Sequence, residues 1–271
     1  LTDRPSGTVA DVPELLEVER YRRLAEAGLD RFIAEVTVDD PHCLTAPATP
    51  AVLRAVLVGR RFLAARRRGK LLLLDTADVT LGVRFGMTGT LVVDDRPGVD
   101  DLLYAPGLDA RWIRWRLRFA DGGEMALHDP RRLARVVLGP QEGVLGPDAL
   151  TVTVGQLRAA LAARGPGPPL KARLLDQSRV AGIGNLLADE ILWRAGLAPG
   201  RPCATLTDAE LRRLQRHLRT TLEELALRGG SHTGDLMAER HVGGRCPRDG
   251  AELARGTFGG RTTWWCPAHQ R

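Results

Sequence analysis

Three stretches of the chain hold residue types at spacings that allow chemistry. Near the C-terminus, Cys246-Pro-Arg-Asp249 is followed sixteen residues later by Cys266-Pro-Ala-His269. Two ligand pairs on tight knuckles flanking a hairpin form the layout of a zinc ribbon. There a tetrahedral Zn2+ replaces a core that so short a segment cannot build. Cys246, Asp249, Cys266 and His269 are the candidate ligands, although aspartate is unusual in structural zinc sites. A metal-free hairpin held by Phe258, Trp264 and Trp265 is the alternative. In Gly182-Ile183-Gly184-Asn185, two glycines permit a tight turn and Asn185 opens a helix, where backbone N–H groups and the side-chain amide suit a phosphate. A simple packing turn explains the same residues. In VADVPELLEVERYRR, residues 9–23, Pro13 and Glu14 are either reactive groups or a helix start. Taken by themselves they describe a helix start. Asp11 is the N-cap, Pro13 lies in the first turn, and Glu14 completes a capping box three residues after Asp11.

The elements that must carry these groups follow from hydrophobic period. RFIAEVTVDD, KLLLLDT, TLGVRFGMTGTLVVDD, ARWIRWRLRFADGGEMALHD and ARVVLG read as strands broken by turn signals, which predicts an antiparallel sandwich. From residue 151 the period becomes helical: TVGQLRAALAARGPG, PLKARLLDQ and NLLADEILWRAG are short helices. Thr207 and Glu210 form a capping box that opens a longer helix, with Leu211, Leu214, Leu218, Leu222 and Leu225 inward and Arg212, Arg213, Arg216 and Arg219 outward. The expected class is α+β and multidomain. Residues 1–11 read as a non-native or disordered extension, and residues 12–150 as an N-terminal sandwich. Residues 151–235 read as a helical domain, and residues 236–271 as a zinc-ribbon hairpin.

Composition narrows the partners. With 271 residues, 44% hydrophobic and 27% charged, the chain reads as a globular protein with no bilayer-spanning run and no signal segment, so a cytoplasmic setting and a monomer are expected. Four cysteines make no disulfide framework, so Cys43 and Cys203 are ordinary thiols. A net charge of +6 favours a polyanion. Of 39 Lys plus Arg residues only Lys70 and Lys171 are lysines, and Asn185 is the single asparagine. In an arginine-rich chain, those retained residues stand out.

Six segments in order carry a resemblance: PELLEVE at 13–19, RRRGKLLLL at 66–74, GMTG at 86–89, DPRR at 129–132, LLDQSRVAGIGNLLADE at 174–190 and GGRTTWWC at 259–266. Over residues 12–271 the chain resembles the formamidopyrimidine-DNA glycosylase / endonuclease VIII family of base-excision repair enzymes. The resemblance implies an N-terminal helix with a β-sandwich, a helix–two-turns–helix domain and a zinc ribbon, with damaged or abasic double-stranded DNA bound in the cleft between. By the same resemblance, Pro13 is the amine nucleophile, Glu14 the proton donor and Glu17 a supporting carboxylate. Lys70, Asn185 and Arg261 grip phosphates, with Lys70 also a possible proton donor, and Lys171 is a further phosphate contact. Met87 and Arg131 fill the gap left by a flipped base.

Departures from the family pattern bear on function. Leu133 stands where a wedge phenylalanine is common, Leu16 replaces a proline, and Asp249 and His269 replace two zinc cysteines. GGSHTGDLMAERHVGG is shorter than the segment that caps 8-oxoguanine in many relatives. A nucleophilic proline needs a free amine, yet twelve residues precede Pro13. Val12 is therefore expected to be the true initiator, removed after translation. The reading is a bifunctional DNA glycosylase with AP lyase activity on oxidised or ring-opened bases. A non-catalytic binder of damaged DNA, or an enzyme specific for oxidised pyrimidines, is the alternative.

Overall fold

Apolar residues alternating with period two in the N-terminal half build two sheets, and the helical period after residue 151 builds a separate helical core. The computed structural model describes residues 13–99 and 108–271. The expected extension at 1–11 and Val12 lie outside the described residues. The residues cluster into two units: Arg20–Arg66 and Leu71–Pro140 with Pro13 in one, and Glu14–Glu19, Arg67–Lys70 and Gln141–Arg271 in the other.

The first helix, α1 (Leu15–Ala25), begins in the second unit and ends in the first. In the first unit follow β1 (Ile33–Thr37), α2 (Pro50–Leu57), β2 (Ala64–Arg68), β3 (Leu71–Asp75), β4 (Thr80–Arg84), β5 (Thr90–Val93), β6 (Arg96–Pro97), β7 (Ile113–Phe119), β8 (Glu124–His128) and β9 (Arg135–Leu138), with the last residues of β2 assigned to the second unit. The order β1-β7-β8-β5-β6 makes one antiparallel sheet. The order β2-β3-β4-β9 makes the other, in which β3–β4 and β4–β9 are antiparallel. Along β7, Ile113, Trp115, Leu117 and Phe119 are buried while Arg114, Arg116 and Arg118 face outward. Strand β3 is buried on both faces, which its unbroken Leu71–Leu74 run requires. Each such side chain removed from water contributes about 2 kcal/mol.

The second unit holds α3 (Val154–Leu161), α4 (Leu170–Leu175), α5 (Asn185–Ala195), α6 (Asp208–Arg228) and the hairpin β10 (Ala254–Phe258) with β11 (Arg261–Trp265). Thr207 and Glu210 form the expected capping box of α6, and its five inward leucines are all buried. They share one core with Leu15, Leu16, Leu187 and Ile191. A smaller core of Trp193, Leu236, Leu253 and Trp264 includes Cys246 and Cys266. The antiparallel sheets, helical segment and terminal hairpin expected from the sequence are all present. No helix among the described residues is long and apolar enough to cross a membrane.

Candidate active site and metal centre

Glu14 immediately follows Pro13, itself buried, and is 1% exposed. Its Oε1 accepts from the Leu186 N–H at 2.8 Å, and its Oε2 from Gly184 at 2.7 Å and Leu187 at 3.3 Å. These N–H groups open α5 and have no partner inside that helix, and they form its positive end. One expectation is corrected here: the backbone donors of the Gly-x-Gly turn hold a carboxylate of this chain rather than a phosphate. The Asp11 end of the expected capping box lies outside the described residues. Gly184 is obligatory because a Cβ there would lie 2.2 Å from Glu14 Cδ. Burial pushes the Glu14 carboxyl above the usual glutamate range, Lys70 pulls it back, and Glu17 raises it further.

Glu17 stabilises the same region through backbone. Its Oε2 accepts the Glu14 N–H at 2.8 Å, and its Oε1 accepts both the N–H and the hydroxyl of Ser231, at 2.7 and 2.8 Å. Lys70 lies on the turn after β2. Asp148 pins that turn by accepting from the Gly69 N–H and from both guanidinium nitrogens of Arg67. Burial lowers the Lys70 ammonium below the usual lysine range; Glu14 and Glu17 oppose this, and Arg261 adds to it. Neither Lys70 nor the exposed Arg261 forms a hydrogen bond or ion pair through its side chain among the described residues, which leaves both for an anion.

Asn185 and Lys171 have different roles from those their types suggest. Lysine only donates, so the 2.7 Å bond from Lys171 Nζ fixes Oδ1 of Asn185 toward it and leaves the amide N–H2 as the free end. Lys171 itself is fully buried. Its Nζ also lies 2.6 Å from Asp189 and 2.8 Å from Thr263 Oγ1. The expectation that Lys171 touches a phosphate is therefore corrected: its charge is spent on Asp189, and no face of it reaches solvent.

In the first unit, Asp129 is the organiser that sequence reasoning missed. It is fully buried and accepts from Thr88 Oγ1 at 2.6 Å and from the N–H groups of Arg131, Leu133 and Ala134. It thereby ties the Gly86–Gly89 loop to the 129–133 loop. Partly exposed Met87 and exposed Arg131 and Leu133 are carried on these two joined loops. Arg132 is held by Asp40 at 2.6 and 2.9 Å, so the two neighbouring arginines have opposite fates. A buried-turn Asp before Pro was the available signal. Ser231 and Asp148 had none, because their partners Glu17 and Arg67 are distant in sequence.

The ligand atoms of Cys246, Asp249, Cys266 and His269 all lie within 4.8 Å of one another. Asp249 Oδ2 is 2.8 Å from His269 Nδ1 and 3.3 Å from Cys266 Sγ, and Cys246 Sγ is 3.7 Å from Nδ1. Such edges suit a tetrahedron around one ion. The other ring nitrogen of His269 lies 3.3 Å from the Trp193 carbonyl, which presents Nδ1 inward, and Trp193 Nε1–H donates to Cys246 Sγ.

A buried carboxyl whose pKa is raised by burial, beside the Lys70 and Arg261 cations, whose side chains make no hydrogen bond among the described residues, suits acid catalysis on a phosphate-bearing substrate. The family model of the formamidopyrimidine-DNA glycosylase N-terminal domain matches residues 12–136, and that of the family's H2TH domain matches residues 145–236. The formamidopyrimidine-DNA glycosylase of Chloroflexus aggregans is 33% identical over 96% of this chain and 98% of its own length. That of Thermus thermophilus is 34% identical with the same coverage. A crystal structure of Lactococcus lactis Fpg with abasic-site DNA superposes with a TM-score of 0.80 at 25% identity, over 96% of this chain and all of that one. The chain belongs to the formamidopyrimidine-DNA glycosylase family.

Proposed function

We propose that the chain is a base-excision repair DNA glycosylase with AP lyase activity, acting on oxidised or ring-opened bases in duplex DNA. The observation that carries it is Glu14: a buried carboxyl with a raised pKa, one residue from Pro13, held on the N-terminus of α5 and interacting electrostatically with Lys70. The secondary amine of Pro13 attacks the anomeric carbon, and the base leaves with its bonding pair. Glu14 protonates the deoxyribose ring oxygen as that bond opens, so an iminium joins Pro13 to the sugar. That cation accepts the electrons released when the C2′ proton is lost and the phosphates are eliminated. Lys70, Arg261 and the amide N–H2 of Asn185 hold the flanking phosphates, and Met87 and Arg131 occupy the space of the extruded nucleotide. Glu17 keeps the Glu14 backbone in place.

The amine must be free, so Pro13 is the first residue of the active enzyme and residues 1–12 are absent from it. The family model begins its match at residue 12, in keeping with this. We also assign zinc to Cys246, Asp249, Cys266 and His269, where it would tie the two knuckles together and supply the fold with a rigid hairpin. The short segment between α6 and β10 favours oxidised pyrimidines over 8-oxoguanine as substrates.

Borohydride trapping on abasic-site duplex tests the reading. A chain beginning at Pro13 is expected to give a covalent adduct, lost in Pro13→Gly and retained in Lys70→Ala. Intact mass gives the mature N-terminus. No adduct from a chain with Pro13 confirmed as its first residue refutes catalysis and leaves a DNA-binding protein.

A further inference from the structure

A guanidinium needs an acceptor, and Arg67 and Arg201 find theirs in the carboxylates of Asp148 and Glu210. Arg68 and Arg179 hydrogen-bond no carboxylate among the described residues. Both line a cleft of about 440 Å³ that lies wholly in the second unit, bounded by the 145–147 segment, α3 and the turn at 178–179. No aspartate or glutamate is among the described residues that line it. Backbone pairing makes two of its walls rigid. The Gly146 N–H donates to the Gln177 carbonyl, the Ala181 N–H to that of Pro147 and the Ala149 N–H to that of Ala181, each at 2.9 Å.

Three segments distant in sequence bring unpartnered donors to this cleft. Arg68 Nη2 donates to the carbonyls of Leu145 and Gly146 at 3.1 and 3.2 Å, which fixes the guanidinium and leaves Nη1 with no hydrogen bond among the described residues. Arg179 is exposed. The Asp176 carboxylate comes no nearer to its Nε than 4.0 Å and is itself taken by the N–H and hydroxyl of Ser178. Gln156 Oε1 accepts from the N–H and hydroxyl of Thr153 in the capping box of α3, so its amide N–H2 is the free end.

Charge and size select the ligand. Two guanidiniums balance a phosphomonoester, which carries about −1.5 to −2 near pH 7, better than a singly charged backbone diester. The cleft falls in the size range of small-molecule sites, about 300–1,000 Å³, and Leu145, Pro147, Ala159 and Ala160 supply apolar lining for the organic part of such an ester. We propose that this cleft binds a terminal phosphate monoester of nucleotide size through Arg68, Arg179 and the Gln156 amide. Elimination of the phosphates, as proposed above, leaves that group on the ends of the cleaved strand, and free nucleotides carry the same group. The assignment itself does not depend on the glycosylase chemistry.

Calorimetric titration of the full chain with thymidine 5′-monophosphate tests it, with thymidine as the uncharged control. The monophosphate is expected to bind at least about tenfold more tightly than thymidine. Arg179→Ala should weaken it about tenfold, one charge-assisted hydrogen bond's worth, and Gln156→Glu should do the same while keeping an oxygen for the Thr153 cap. Lys70→Met, which removes a cation from the proposed active site, should leave binding in the cleft unchanged. Unchanged affinity in Arg179→Ala overturns the proposal, and so does binding that disappears in Lys70→Met, because the anion then sits on the catalytic phosphate grip. Equal affinity for monophosphate and thymidine overturns it as well. Duplexes ending in a 5′-phosphate or a 5′-hydroxyl separate the two sources. A phosphate-dependent gain that Arg179→Ala abolishes assigns the DNA end, and monophosphate binding without that gain assigns the free nucleotide.

Discussion

Replacing Lys171 by methionine separates a buried structural charge from a DNA contact. Methionine keeps much of the aliphatic stem, so the perturbation is the loss of the ammonium from its 2.6 Å contact with Asp189 and its bonds to Asn185 and Thr263. Breaking a buried ion pair by removing one partner costs about 3–5 kcal/mol. Asp189 keeps Arg240 at 2.9 Å, so the lower end, about 3 kcal/mol, is expected. Urea unfolding measures it. Asn185 loses the donor that orients its amide, and affinity for an abasic-analogue duplex should fall about tenfold, one hydrogen bond's worth. The decisive reading is the salt dependence of that affinity. Lys171 neutralises Asp189, not a phosphate, so the slope of log K against log salt should match the wild type. Lys70→Met or Arg261→Met should flatten it by about 0.9 each. A Lys171→Met chain that unfolds at the wild-type urea concentration yet shows the flattened slope would refute the assignment of that charge to Asp189.

Glu14→Gln removes the acid and leaves one of the two acceptor oxygens that the α5 N–H groups use, and strand cleavage should drop about 10²- to 10⁴-fold, with a smaller loss of stability from the unmatched N–H; single-turnover kinetics and melting check it. Burial raises the Glu14 pKa and lowers that of Lys70, so Glu14 gives up its proton above the ordinary glutamate range and Lys70 loses its charge below the ordinary lysine range; both place the loss of activity on the alkaline limb of the pH–rate profile. Asp129→Ala strands four donors at once and should destabilise the protein by about 3 kcal/mol, and it should weaken excision from duplex through the loops bearing Met87 and Arg131, read by melting and by lesion cleavage. Cobalt substitution at the C-terminal site should give the absorption of a tetrahedral ion with two thiolates, reduced in His269→Ala, and a chelator should lower the melting temperature.

Much of the fold was legible because local rules and packing agreed. The Thr207–Glu210 capping box and five inward leucines specified α6, and the alternation along β7 matched one buried face. Spacing alone also brought the Cys246, Asp249, Cys266 and His269 quartet into view, since knuckle pairs on a hairpin meet through short-range geometry.

Charge-bearing residues were legible as types but not as partners. The sequence by itself determined that Glu14 follows Pro13, that Lys70 and Lys171 are exceptional in an arginine-rich chain, and that Asn185 opens a helix. Only the tertiary structure decided that Glu14 occupies the α5 N-terminus, that Lys171 lies under the surface beside Asp189, and that Glu17 reaches Ser231. The physical reason is the same in each case. An ionised group is stabilised by whichever donor or countercharge the fold brings within about 3 Å, and those partners lie far along the chain where no periodicity can place them.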